Sequence, residues 1–184
     1  MSEQMRTGDA PETVAETAPE MEQIPVDAPR VGIIMGSKSD TAAMEAAEKV
    51  LEEAEVTFEV RVMSAHREPD VVADYCKNAR MRGLRVIIAG AGLSAALPGV
   101  CAAHSSMPVI GVPIKGGALD GLDALLSISQ MPPGVPVACV GLDNATNAAV
   151  LAVQIIAGHD PSLRTKLEEF KESFEQAAEA GLAR

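Results

Sequence analysis

Aromatic residues are nearly missing from this chain: no Trp, one Tyr and three Phe among 184 residues. A core without rings has to be assembled from Ala, Val, Ile, Leu and Met. The shortage also argues against single-stranded nucleic-acid binding, which relies on stacking platforms. Positive charge is in deficit as well. The formal net charge is −11, which repels phosphate backbones and anionic membranes. No apolar run reaches the length needed to span a bilayer. The first residues show no basic region followed by an apolar stretch, so a secretory signal is not expected. Cysteine is sparse: Cys76, Cys101 and Cys139 are odd in number, far apart and without a CxxC pair. That usage fits a reducing cytoplasm and gives neither a disulfide framework nor a zinc site.

Residues 1–29 differ from the rest of the chain. Up to Arg30 the chain carries Glu3, Asp9, Glu12, Glu16, Glu20, Glu22 and Asp27 against Arg6 and Arg30, with four prolines and no apolar period. Such a segment cannot bury enough surface to order itself and reads as a disordered acidic tail. From residue 30 to about 160 the pattern is regular. Apolar, β-branched runs recur at Val31–Met35, Phe58–Met63, Val86–Ala89, Val109–Val112 and Val137–Leu142. Helical segments lie between them. Met44, Ala47, Leu51 and Ala54 recur at steps of three and four on one face, and Val71–Met81, Ala95–His104, Leu122–Met131 and Asn147–Ala157 follow. Alternation of five strands and five helices predicts βαβ units and a parallel sheet. Continuous apolar strands predict that both sheet faces are covered. The expected fold is a three-layer, doubly wound α/β domain, flavodoxin-like or Rossmann-like. One more helix is expected from Ser162 to about Ala180 within residues 161–184, with a stripe of Leu163, Leu167, Phe170, Phe174 and Ala178. It either packs on its own domain or sits at a subunit interface.

In open parallel sheets ligands bind beyond the C-terminal strand ends, which selects three unusual loops. The first is Gly36-Ser37-Lys38-Ser39-Asp40. Gly36 allows a tight turn, Ser39 or Asp40 can cap the next helix, and free N–H groups with the Ser37 and Ser39 hydroxyls can hold a phosphate. The Walker A spacing is absent. The second is Ser64-Ala65-His66-Arg67-Glu68-Pro69-Asp70. His66 offers a group that titrates near neutrality, and Arg67 offers a fixed fork for phosphate or carboxylate. An ordinary capped surface turn is the plain alternative. The third is Gly90-Ala91-Gly92-Leu93-Ser94-Ala95-Ala96-Leu97. It matches a dinucleotide fingerprint as Gly90-x-Gly92-x-x-Ala95, but after the third strand and with no acidic residue ending the next strand. Ser94 faintly suggests a nucleophile elbow that lacks its second glycine. His104 and His159 sit near helix ends, and no His, Cys and carboxylate spacing suggests a metal. The loop Lys115–Gly121 is rich in glycine and reads as a mobile connection or a lid.

Taken together, Met35-Gly-Ser-Lys-Ser-Asp40, Ser64-Ala-His-Arg67 with Pro69-Asp70, Ala89-Gly-Ala-Gly92 with Leu97-Pro-Gly99, Pro108-Val-Ile-Gly-Val-Pro113 and Leu125-Leu-Ser-Ile128 with Gln130-Met-Pro132 resemble the catalytic-subunit family of phosphoribosylaminoimidazole carboxylase. The resemblance spans about residues 30–160 and is strongest to its class I, the mutases. It implies an enzyme of purine biosynthesis that converts 5-(carboxyamino)imidazole ribonucleotide to 4-carboxy-5-aminoimidazole ribonucleotide. It implies no metal and no organic cofactor, a small-molecule ribonucleotide as substrate, and a cytoplasmic homo-octamer. It also implies substrate-binding roles for Ser37, Asp40 and Arg67 and a catalytic role for His66. With the loop reading, the expected substrate-binding set is Gly36, Ser37, Ser39, Asp40, Ser64, Arg67, Gly90, Ala91, Gly92, Ser94 and Leu97. Two departures bear on the carboxyl donor. Ala96 stands where many class I members carry a histidine, and the Ser94 pattern leans toward the class that carboxylates aminoimidazole ribonucleotide directly with carbon dioxide. That class usually has Ser-Ala-His-Lys and an Ala-Gly-Arg loop, whereas Arg67 and Ala91 stand here. A direct carboxylase, and a non-catalytic nucleotide-sensing module on the same fold, are the alternatives.

Overall fold

The computed structural model describes residues 27–181 together with Pro25. The expected acidic tail lies, apart from its last few residues, outside the described residues. Five parallel strands form one sheet in the order β2-β1-β3-β4-β5: β1 Val31–Met35, β2 Phe58–Val62, β3 Val86–Gly92, β4 Val109–Ile114 and β5 Ala138–Cys139. The helices are α1 Thr41–Glu53, α2 Pro69–Asn78, α3 Leu97–His104, α4 Leu122–Ser129, α5 Ala145–Ala157 and α6 Ser162–Glu179. This is the flavodoxin-like order. Its topological switch lies between β1 and β3, which flank one another although β2 separates them in the chain.

The three central strands are apolar throughout and almost wholly buried, because helices cover both faces. On one side α1 and α5 build a core around Val31, Ile33, Met44, Leu51, Ile88 and Ala149. On the other, α2, α3 and α4 close over Ile34, Val72, Leu84, Ile87, Ala89 and Ile128. Helix α5 is apolar nearly all round and rich in alanine. The stripe of α6 packs beside α5: Leu163 is buried, and Leu167 and Phe170 pack on the same core. Further along, Phe170 and Phe174 meet edge to face at 4.9 Å, yet Phe174 stays 47% exposed. The helix therefore packs on its own domain through its first turns, and its second half projects.

Two strands differ from the sequence reading. β2 is an edge strand that ends at Val62, and Val60 and Val62 are exposed. Glu59 and Arg61 alternate with its apolar residues, and neither face of its last three residues is buried. The six-residue run Val137–Leu142 yields a two-residue β5. The carbonyl of Pro113 points toward β5, where it accepts from the N–H of Asp143 at 2.9 Å. The N–H that would extend the ladder on that side is the one proline lacks. Boundaries elsewhere move by a few residues. β3 and β4 run on to Gly92 and Ile114, and α2 begins at Pro69, which suits the first helical turn.

Candidate active site

The C-terminal ends of β1, β2, β3 and β4 surround an open cavity of about 490 Å³. From β1 it takes Gly36, Ser37, Ser39 and Asp40; from the end of β2, Ser64, Ala65, His66 and Arg67. β3 and the loop after it supply Ala91, Gly92, Leu93, Ala95, Ala96 and Leu97, and β4 supplies Ile114 to Gly117.

The loop after β1 folds into one 3-10 turn, Lys38–Asp40. Ser37 caps it: the Ser39 N–H donates to Ser37 Oγ at 3.3 Å. The Ser39 hydroxyl lies 2.9 Å from Ser37 Oγ and 3.0 Å from Asp40 Oδ1. Ser37 thus caps the 3-10 turn, while Asp40 stands at the N-cap position of α1 without a side-chain cap bond and keeps its carboxylate at the cavity wall. Gly36 is tied to the neighbouring strand by its N–H, 3.3 Å from the Gly90 carbonyl.

After β2 the chain makes a tight turn. The Glu68 N–H donates to the Ser64 carbonyl at 2.8 Å, and the Arg67 N–H donates to Ser64 Oγ at 3.4 Å. Ser64 is buried beneath this turn, while His66 and Arg67 stand exposed at the cavity. Arg67 then reaches across to the first loop, where its Nη2 donates to the Gly36 carbonyl at 2.9 Å. This gives the cavity a fixed cation beside a titratable imidazole.

The third wall is strained. Leu93 and Ala95 have φ of 55° and 30°, in the left-handed region that non-glycine residues seldom adopt. Such strain gathers at functional sites. The Ala95 N–H closes the turn on the Gly92 carbonyl at 3.0 Å. Ala65, Ala91, Ala95 and Ala96 give the cavity a small apolar face.

Two expected members stand apart. Gly90 does not line the cavity; a Cβ there would lie 2.5 Å from Met44 Sδ, so its place is helix packing. Ser94 is outside too. Its carbonyl accepts from the Ser127 hydroxyl at 2.9 Å, which ties the loop to α4. Gly36, Ser37, Ser39, Asp40, Ser64, His66, Arg67, Ala91, Gly92 and Leu97 are brought together. Neither His104 nor His159 is among the lining residues. Among the described residues no group of three or more His, Cys, Asp or Glu is placed to hold a metal ion, and no helix is long and apolar enough to cross a membrane.

The sequence profile of the AIR carboxylase family matches residues 30–177. The chain belongs to the AIR carboxylase family. Over 153 residues it is 54% identical to N5-carboxyaminoimidazole ribonucleotide mutase of Pyrococcus abyssi, covering 83% of this chain and 88% of that protein. Over 152 residues it is 52% identical to phosphoribosylaminoimidazole carboxylase of Schizosaccharomyces pombe, matching 28% of that longer protein. The crystal structure of Treponema denticola PurE superposes with a TM-score of 0.74 at 28% identity, covering 85% of this chain and 99% of that one.

For this AIR carboxylase family member, the expected set of site residues omits the β4 side of the cavity, although the Lys115–Gly121 loop reads from its composition as a mobile connection or a lid. Lys115, Gly116 and Gly117 line that side, and two hydrogen bonds hold their loop. The Lys115 N–H donates to Asp143 Oδ1 at 2.8 Å, and the Gly121 N–H donates to the Gly116 carbonyl at 3.2 Å. The available signal was a lone lysine at a strand's C-terminal end.

Proposed function

We propose that the chain is the mutase of purine biosynthesis that converts 5-(carboxyamino)imidazole ribonucleotide into 4-carboxy-5-aminoimidazole ribonucleotide. The observation that carries this reading is the single cavity that joins His66 and Arg67 to Ser37, Ser39 and Asp40. It stands in a chain whose relatives of the mutase name match over most of its length.

The chemistry suits the residues. Protonated His66 gives its proton to the exocyclic nitrogen, the N–C bond breaks, and carbon dioxide is released beside the freed amine. The electron-rich ring attacks carbon dioxide through C4, and a C–C bond forms. The now neutral His66 removes the C4 proton and is restored to its starting state. The alanines around the cavity hold carbon dioxide in an apolar space between the two steps and exclude water. Arg67 and the Ser37 and Ser39 hydroxyls bind the phosphate, and Asp40 accepts from ribose hydroxyls.

We place the enzyme in the cytoplasm as a homo-octamer. The three free cysteines suit a reducing compartment. Leu122 and Leu126 on α4 and Phe174 on α6 are nearly half exposed, as subunit contacts require. Light scattering should give about eight times the 19.1 kDa chain mass; a monomer mass overturns the octamer.

His66→Asn tests the mechanism. The amide keeps size and hydrogen bonding but cannot carry a proton, so turnover should fall by about 10²–10⁴-fold with ribonucleotide affinity retained. Near-normal turnover contradicts the role of His66.

A further inference from the structure

The chain carries −11, and the substrate of the proposed mutase carries two anionic groups, a phosphate and a carboxylate. The cavity meets this with two cationic side chains set apart across the sheet. Arg67 follows β2 and Lys115 follows β4. The order β2-β1-β3-β4-β5 puts three inter-strand steps between those strands, roughly 14 Å at the usual spacing. Arg67 shares its end with the hydroxyls of Ser37 and Ser39. At the other end Lys115 is the only charged lining residue, facing the apolar arm from Leu93 to Leu97. Among the described residues no carboxylate pairs with its ammonium.

The backbone beneath Lys115 is built to hold it. Its N–H is fixed by Asp143 Oδ1 at 2.8 Å, and the Asp143 N–H is fixed by the Pro113 carbonyl at 2.9 Å. Asp143 keeps this pose at φ 53°, in the region that disfavours residues other than glycine, asparagine and aspartate. Next to it, Gly117 has φ 67°, and any Cβ there would collide with the Leu93 side chain. The loops after β3 and β4 thus touch and form one continuous wall.

We infer that Lys115 binds the carboxylate of the ribonucleotide, so that the site distinguishes carboxylated from uncarboxylated ligand, and that Asp143 is the residue that positions it. The proposal rests on the ribonucleotide reading of this same site. Arg67 holds the phosphate end, Lys115 holds the carboxylate end, and the imidazole ring lies between them against the alanine face.

The experiment is calorimetry on the full chain with two ligands, 4-carboxy-5-aminoimidazole ribonucleotide and 5-aminoimidazole ribonucleotide. Lys115→Met should weaken the carboxylated ligand by about tenfold or more, the usual loss of one charge-assisted contact. It should leave the uncarboxylated ligand nearly unchanged, and Lys115→Arg should restore most of the difference. Asp143→Gly tolerates the positive φ but removes the carboxylate, and should show the same selective loss to a smaller degree. Asp143→Asn still accepts from the Lys115 N–H and should not. Equal loss for both ligands in Lys115→Met assigns the lysine to the phosphate and overturns the proposal. Unchanged affinity for both, with a wild-type enzyme that binds and turns over normally, overturns it while leaving the mutase reading intact. A wild-type protein that binds neither ligand overturns both.

Discussion

Arg67 Nη2 donates to the Gly36 carbonyl at 2.9 Å, a bond that joins the loops after β2 and β1 across the mouth of the site. It leaves the remaining donors of the guanidinium free for an anion. A lysine has no fork and cannot make both contacts together. Arg67→Lys should therefore weaken ribonucleotide binding by about 10- to 100-fold, and Arg67→Ala by at least as much. Calorimetry that finds wild-type affinity in both variants contradicts the role given to Arg67.

Gly32 lies in the middle of β1 against the buried Tyr75, and a Cβ there would collide with the phenol oxygen. That oxygen has no hydrogen-bond partner among the described residues. Burial, and then the nearby Glu59 carboxylate, push its pKa above the ordinary tyrosine value. Arg82 lies over the ring at 4.5 Å from its centroid. Gly32→Ala should destabilise by about 1–3 kcal/mol through overpacking. Tyr75→Phe removes the colliding atom and should restore part of that loss in the double variant. Urea unfolding reads both; a Gly32→Ala protein as stable as wild type, or no recovery in the double variant, contradicts this packing.

Asp160 ties the start of β1 to the turn before α6. Its carboxylate accepts from Ser162 and, at 2.8 Å, from Arg30 Nη1. These bonds, Ser162 first and then Arg30, hold the carboxyl below its ordinary pKa. A depressed pKa means stability that is present above the unfolded-state value and lost as pH falls through the folded-state value. The melting-temperature gap between wild type and Asp160→Asn should be present at neutral pH and close in acid, below the ordinary aspartate range. A gap that persists or widens in acid contradicts the assignment.

Much of this was legible in the sequence, and the reasons are local. The steps of three and four through Met44, Ala47 and Leu51 gave α1, and all three are buried. The apolar runs at Val31 and Val109 gave strands that are buried on both faces. His66 and Arg67 were visible because a strand end precedes them and a proline-started helix comes next. The failures were relational. The length of β5 depends on Pro113 in a different strand. The role of Gly90 depends on where Met44 of α1 comes to lie. Lys115 joins the site only because the sheet order sets β4 beside β3 at the end where the cavity opens. No spacing within one segment encodes such neighbours.

The most direct test of the central claim is conversion of 5-(carboxyamino)imidazole ribonucleotide by the wild-type enzyme in low, isotopically labelled bicarbonate. A site that releases carbon dioxide and recaptures it against the alanine face before it escapes should give efficient conversion with little label in the product, because the carboxyl group arrives on the substrate. Free aminoimidazole ribonucleotide should be carboxylated only when bicarbonate is raised. Efficient labelling from the free aminoimidazole at low bicarbonate, with no use of the N-carboxy compound, would contradict the mutase reading and make the enzyme a direct carboxylase.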